Sequence, residues 1–301
     1  MVWEDLLDDI KTRAPIPSSQ STYNETRLLR LTNGELRARI VPMVDKVREN
    51  YYLFDIDTAI NSTGVYDIHK RAVGAKLFSL SLVDGQKKKS LAFYTSNEIE
   101  DFDSAPGDEG FFFKRSQVIL CPRVPSSWSY LRQTLLLSPN NIVASDDAAQ
   151  ITNINTGTGV LTCSSVPSTW STANKFDIVQ SQAHFDTLSI DLTASIVTTG
   201  TSGSVTFATA DLPSRLAVGD WISLAEQTPV VQCPVEFHPL LAQLVANVVL
   251  RSQGDVQSLQ TGMQNAKELM DSLKDLISPR IQGEGKKIVN RTGMLRRGGG
   301  Y

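Results

Sequence analysis

Residues 256–280 read VQSLQTGMQNAKELMDSLKDLISPR, and the spacing of apolar side chains in this stretch governs how the rest of the chain is read. Val256, Leu259, Met263, Ala266, Met270, Leu273 and Ile277 recur at alternating steps of three and four, which lays them along one seam of a helix. The seam stops at Ser278-Pro279, because proline lacks the N–H and pushes the residue before it away from the α region. At 1.5 Å per residue the helix is roughly 34 Å long, the width of a small domain. That length leaves part of the seam (Val256, Leu259, Met263, Met270, Leu273, Ile277) for packing against a neighbouring copy. Beyond it, residues 279–301 are basic, rich in glycine and poor in apolar side chains, so they cannot bury a core of their own. They read as an extended arm that takes its shape from another protein, with a reach of at most roughly 80 Å.

Upstream of the seam, Leu240, Leu241, Leu244, Val245, Val248 and Val249 give a wide apolar face to a helix that begins near Pro234 and Pro239 and is separated from the seam by Gly254. At the other end, Trp3, Leu6, Leu7 and Ile10 fall at i, i+3, i+4 and i+7 of a short helix, with acids in its first turn and Lys11 and Arg13 in its last. Pro15 and Pro17 end that helix, and the hydroxyls of residues 18–22 are placed to cap the next. Tyr23 to Tyr52 shows a long helical pattern, bent at Pro42, with Leu28, Leu31, Leu36, Ile40, Val44 and Val47 on one side.

Between these ends the apolar period changes from 3.6 to two. Leu53 to Ile60 alternates, Asn61-Ser62-Thr63-Gly64 is turn chemistry, and Lys76–Val83 with Ser90–Tyr94 predicts a hairpin carrying Lys87, Lys88 and Lys89 at its tip. The strands Phe111–Cys121, in which Phe111–Phe113 read as strand core, and Tyr130–Leu137 follow an acidic loop over 97–110. Residues 150–224 are poor in lysine and arginine and rich in threonine and serine. Six short strands there (150–155, 159–164, 175–179, 188–199, 204–208 and 220–225) suggest a small sandwich or barrel, open to continuity with the earlier sheet. The fold class predicted is therefore α+β: a bundle of N-terminal (1–52) and C-terminal (234–278) helices, a large inserted antiparallel β region (53–233) and the arm (279–301).

Composition narrows the functions available. Hydrophobic residues at 41%, charged ones at 20% and a net charge of −3 argue against wholesale coating of nucleic acid. Cys121, Cys163 and Cys233 lie far apart, and His69, His184 and His238 show no metal-ligand spacing, so neither disulfides, a metal nor a cofactor is expected. His238-Pro239 reads as a helix cap. Met1-Val2-Trp3-Glu4-Asp5 lacks the basic start of a signal peptide, and no stretch approaches the ~20 apolar residues of a membrane span. This predicts a protein made and kept in a cytoplasm, with no membrane partner. There is no phosphate-binding glycine loop and no nucleophile elbow. Acids cluster at Glu98, Glu100, Asp101, Asp103, Asp108 and Glu109 and at Asp146-Asp147, but in a Ser-, Pro- and Gly-rich loop they read as a solvated connection, and no catalytic residue is assigned.

Several short stretches together resemble the head-to-tail adaptor proteins of tailed bacteriophages. They are Leu6-Leu7-Asp8-Asp9-Ile10-Lys11-Thr12-Arg13, Pro17-Ser18-Ser19-Gln20-Ser21-Thr22, Ile40-Val41-Pro42, Arg48-Glu49-Asn50-Tyr51-Tyr52, Arg71-Ala72-Val73-Gly74-Ala75-Lys76-Leu77, Val218-Gly219-Asp220-Trp221-Ile222, residues 234–244, and Ser278-Pro279-Arg280 with Lys286-Lys287-Ile288-Val289-Asn290. The resemblance implies a structural virion protein of the neck, assembled in the host cytoplasm as a ring usually of twelve copies below the portal vertex. It implies helices that line the DNA channel, close to packaged double-stranded DNA without specific contact, and a C-terminal arm that clasps the portal protein. On that reading Arg280, Lys286, Lys287, Ile288, Asn290, Arg291, Arg296, Arg297 and Tyr301 are the portal-binding residues, and the β region faces a downstream tail or nozzle protein. The alternative is a tail or fibre protein whose β region binds surface carbohydrate through Trp128, Trp170 and Trp221, and a glycosidase using Asp101 and Asp103 ranks third.

Overall fold

The computed structural model describes residues 1–16, 21–48, 50–95, 110–121, 128–181 and 185–277. The fold is mixed α and β, with helices at both ends of the chain and several mostly antiparallel sheets between them. The predicted arm over 279–301 and nearly all of the acidic loop lie outside the described residues.

The helices are α1 (Trp3–Arg13), α2 (Glu25–Glu35), α3 (Val41–Val47), α4 (His238–Gln253) and α5 (Val256–Ile277). In α4 the buried positions run nearly all round the helix and include Leu240, Leu241, Ala242, Leu244, Val245, Ala246 and Val249, the pattern of an element packed on every side. α1, α2 and α5 each lie against it. One core holds Trp3, Leu6 and Ile10 of α1, Leu28 of α2, Val44 of α3, Leu244 and Val245 of α4, and Ala266 and Leu273 of α5. Gly254, at φ 77°, closes α4 in the left-handed region that a side chain disfavours, and its N–H returns to the carbonyls of Leu250 and Arg251.

Two helix expectations need correction. The pattern over 23–52 is shorter and interrupted: α2 runs into a π-helical turn at Leu36–Ile40, then α3, and ends at Val47. Pro42 sits in the first turn of α3, and the N–H of Val41 reaches back five residues to Leu36, so a widened turn accommodates the imino residue at the place where the bend was expected. Tyr51 and Tyr52 lie beyond the helix, and the Tyr52 hydroxyl donates to the Gln232 carbonyl at 3.1 Å. The N-cap of α2 is Asn24, whose side chain accepts from the Arg27 N–H, rather than a hydroxyl of residues 18–22.

The β region divides into two lobes. The first contains two four-stranded sheets. One has the order Leu53–Ala59, Tyr130–Leu137, Ala72–Asp84, Lys87–Ser90, all antiparallel. The other has the order Val65–Asp67, Gln117–Cys121, Gly110–Lys114, Ala92–Phe93, with the last pair parallel. Tyr66, Leu80, Leu82, Val118, Leu120 and Leu131 fill the space between them. The predicted hairpin turns one residue later than expected, at Gly85-Gln86, because Asp84 pairs with Lys87. The three lysines therefore form the edge strand itself, where charge discourages pairing with another chain.

The second lobe has a sheet of seven antiparallel strands, in the order Thr187–Thr193, Lys175–Val179, Trp221–Leu224, Ala149–Asn155, Val160–Cys163, Ser204–Thr206, Ile196–Thr198, and a separate pair, Ser165–Val166 with Gly200–Thr201. Its first and last strands are consecutive in the chain, with only Ala194 and Ser195 between them, so the sheet has to roll until its edges meet. The predicted strand over 188–199 is thus two strands on opposite edges. Inside the roll are Ile151, Leu161, Cys163, Trp170, Phe176, Ile178, Val205, Phe207 and Ile222. This lobe is not continuous with the earlier sheets. The chain enters and leaves it through a two-stranded parallel neck, Asn141–Ile142 beside Gln227–Thr228.

His238 is not a cap. It is the first residue of α4, only 1% exposed, and its Nε2 lies 3.2 Å from the Cys233 carbonyl. Burial holds its pKa down at about 4, against an ordinary value near 6.5. A base depressed in this way stays neutral in the fold while the unfolded chain takes up a proton. Its contribution is therefore complete above about pH 6.5, is lost as the pH falls from 6.5 towards 4, and then levels off. The total is about 3 kcal/mol. His238→Gln, which keeps a donor for the carbonyl, should flatten this slope in urea unfolding measured between pH 7 and pH 4; an unchanged slope would place the titration elsewhere.

Candidate functional site

The predicted seam of α5 is two lines rather than one. Leu259, Ala266 and Leu273, with Gly262 and Leu269 between them, face α4 and the shared core. Gly262 makes the close approach possible: its carbonyl accepts from Asn247 Nδ2 at 3.1 Å, and a Cβ there would stand 2.2 Å from Asn247 Oδ1. Val256 and Met263 lie on the outer shoulder, 62% and 53% exposed, whereas Met270, a heptad further on, is half-buried and packs against the shared core. The cause is the pitch of the helix. Steps of three and four set the two lines roughly 50° apart around it, and the drift of about 20° per heptad turns the outer line towards α4 only by Met270. Among the described residues α5 packs mainly on α4, which leaves this shoulder facing solvent. Ile277 closes α5, its side chain outside the described residues, as are Arg280, Lys286, Lys287, Ile288, Asn290, Arg291, Arg296, Arg297 and Tyr301.

A second constellation joins the two β lobes. His69, Lys70 and Arg71 stand immediately before the long strand Ala72–Asp84, and each meets a different acid of the rolled lobe or its exit. His69 Nε2 lies 3.3 Å from Asp191, Lys70 Nζ 2.8 Å from Glu226, and Arg71 Nη1 2.8 Å from Asp177. The first two pairs are partly open to water, whereas Arg71 and Asp177 are buried, at 4% and 0% exposure. Asp177 also organises the other two acids. Its Oδ1 accepts the backbone N–H of Asp191 and its Oδ2 that of Glu226, both at 3.0 Å, and both residues hold positive φ (53° and 67°). Asn140 completes the cluster, donating to Asp177 at 2.8 Å and accepting from Arg71. The Lys70 ammonium holds the Glu226 carboxyl below its ordinary range. Sequence reasoning missed this set. Its one visible signal was three consecutive bases ahead of a strand; the acids, at 177, 191 and 226, carry no spacing that links them.

Between the lobes and the helix ends lies a cleft of about 930 Å³. Arg48, Tyr51, Asp55, Phe78 and Lys88 line one side, Phe185, Asp186, Pro213 and Arg215 the other. Arg215 pairs with Asp186 at 2.8 Å, and the Arg48 guanidinium sits 5.7 Å from the centre of the Tyr51 ring. Burial raises the Tyr51 phenol above its ordinary value, so it stays neutral. Among the described residues the lining holds no histidine or cysteine. Charged side chains and aromatic rings in this arrangement can hold a ligand by contact and charge.

The aromatic candidates for carbohydrate do not form a surface. Trp170 is buried in the rolled lobe beside Phe176, Trp128 is partly buried against the first lobe, and Trp221 is partly buried near Val230. The triplet Phe111–Phe113 is also not uniformly core: Phe111 is buried, while Phe113 is exposed and stacks 5.5 Å from exposed Phe93. Asp146-Asp147 form part of a short 3-10 turn, and Asp101 and Asp103 lie outside the described residues. Cys163 and Cys233 are buried thiols, the first pushed up to about 12 by desolvation. Among the described residues no three His, Cys, Asp or Glu side chains come together as metal ligands, and no helix is long and apolar enough to cross a membrane. No family model matches the chain, and no curated protein matches it.

Proposed function

We propose that the protein is a structural, non-enzymatic component of a phage virion: a ring-forming adaptor, of about twelve copies, that joins the portal to the tail around the DNA channel. The observation that carries this reading is the outer shoulder of α5, where Val256 and Met263 stand in solvent on a helix whose other side is packed. Two exposed apolar side chains at heptad spacing suit a second helix, and in a closed ring each copy offers that shoulder to the next. The helices from the two chain ends would form the channel wall as one bundle, with the residues after Pro279 as an arm toward the portal. A net charge of −3 suits a channel through which DNA slides, since many fixed phosphate contacts would hold it. The β lobes would face the tail or nozzle protein.

Met263→Glu tests this reading. The side chain is exposed, so the variant should melt within a few degrees of the parent. A carboxylate buried at the contact between copies should nevertheless prevent ring formation on purified portal rings, as read by mass measurement of the complex. Unimpaired twelvefold assembly by Met263→Glu would remove the α5 shoulder from the ring contact and with it the main support for the adaptor reading.

A further inference from the structure

The rolled lobe is tied to the rest of the subunit by the neck, by apolar contacts of Ile190 with the first lobe and of Val179, Phe185 and Trp221 with Val2 and Val230, by contacts of Phe185 with His238 and Gln232, and by the cluster built on His69, Lys70 and Arg71. Its strands close on themselves around a core of their own. We propose that this lobe is a separately folded unit latched in one orientation by the three bases, and that opening the latch lets it turn about the two-stranded neck.

The chemistry of the latch supports a device that selects one orientation over one that merely adds adhesion. A fully buried ion pair brings little net stability compared with apolar residues of the same volume, because two ions must leave water. What it does impose is a penalty on misplacement, since moving either lobe leaves a desolvated charge without its partner. Here the penalty is sharpened by Asp177, which accepts the backbone N–H groups of Asp191 and Glu226 and so presets the two acids that receive His69 and Lys70. Two residues with side chains are held at positive φ to do this, a conformation that persists where surrounding bonds enforce it. The cleft of about 930 Å³ has one wall on each side of this junction, so the latch also fixes its width.

Arg71→Met is the direct test, because Arg71 belongs to the first lobe and its loss leaves the rolled lobe's own sequence intact. Spin labels placed by Thr158→Cys, on the tip of the rolled lobe, and Arg30→Cys, on α2, in a Cys121→Ser background report the distance between lobes. The parent should give one narrow distance, and Arg71→Met a distribution at least twice as broad, while Trp170 fluorescence inside the roll stays unchanged. Lys70→Glu should broaden the distribution less, and adding Glu226→Lys should narrow it again. An unchanged distance in Arg71→Met would overturn the proposal. So would loss of the Trp170 signal together with the distance, since the lobe would then not be a unit of its own. Neither result bears on ring assembly, which the α5 variant tests separately.

Discussion

A chain lacking residues 282–301 should fold as the parent does and lose its hold on portal rings. The deleted segment holds Lys286, Lys287, Arg291, Arg296 and Arg297 against a single acid, Glu284, and few apolar side chains, so it lacks the content to build a core. On the adaptor reading its cations meet acidic grooves or backbone carbonyls of the portal. The loss of even two charge-assisted contacts weakens binding by about a hundredfold or more. Raising the salt from 0.05 to 0.5 M should weaken the parent in the same direction, because exposed charge pairs are screened. Binding of the truncated chain to immobilised portal rings, followed by surface plasmon resonance, is the measurement. Undiminished affinity would remove the arm from the interface.

Trp3→Ala should be the most damaging single substitution at the helical end, costing about 3–5 kcal/mol. The ring is fully buried, its Nε1–H donates to Glu25 at 2.8 Å, and the Trp3 backbone N–H donates to the Pro229 carbonyl at 2.9 Å. One residue therefore connects α1 to α2 through its side chain and α1 to the segment that leads out of the rolled lobe through its backbone. Truncation leaves a cavity, while Glu25, exposed in the first turn of α2, turns to water. Chemical denaturation should show a lower midpoint with an unchanged slope. A cost below about 1 kcal/mol would mean that the indole's site collapses without loss, contrary to a core shared by both chain ends.

Local pattern was enough for the elements that bury one face. The i, i+3, i+4, i+7 spacing of Trp3, Leu6, Leu7 and Ile10 gave α1, the strand Tyr130–Leu137 was read to the residue, and Gly254 marked the break between α4 and α5. Where the outcome depended on what lay opposite, local pattern failed. A heptad line cannot tell which of its alternate positions faces the subunit's own α4, so Met263 and Ala266 looked equivalent although one is exposed and the other buried. Residues 188–199 read as one strand because alternation continues through Ala194 and Ser195; only pairing with opposite edges of the sheet divides them. The Phe111–Phe113 run likewise has a buried and an exposed end, which its uniform composition does not mark.

By itself the sequence determined that both ends of the chain are helical and the region between them extended, that apolar faces at both ends need partners, and that residues after Pro279 lack the means to build a core. Those are properties of spacing and composition, carried by each stretch alone. Only the tertiary structure decided that α4 is the element on which α1, α2 and α5 lean, that the β region splits into two lobes, and that His69, Lys70 and Arg71 each find an acid from a distant part of the chain. A charge carries no mark of its partner until folding brings the two within a few ångströms, and the low dielectric of the junction then makes that pairing decisive.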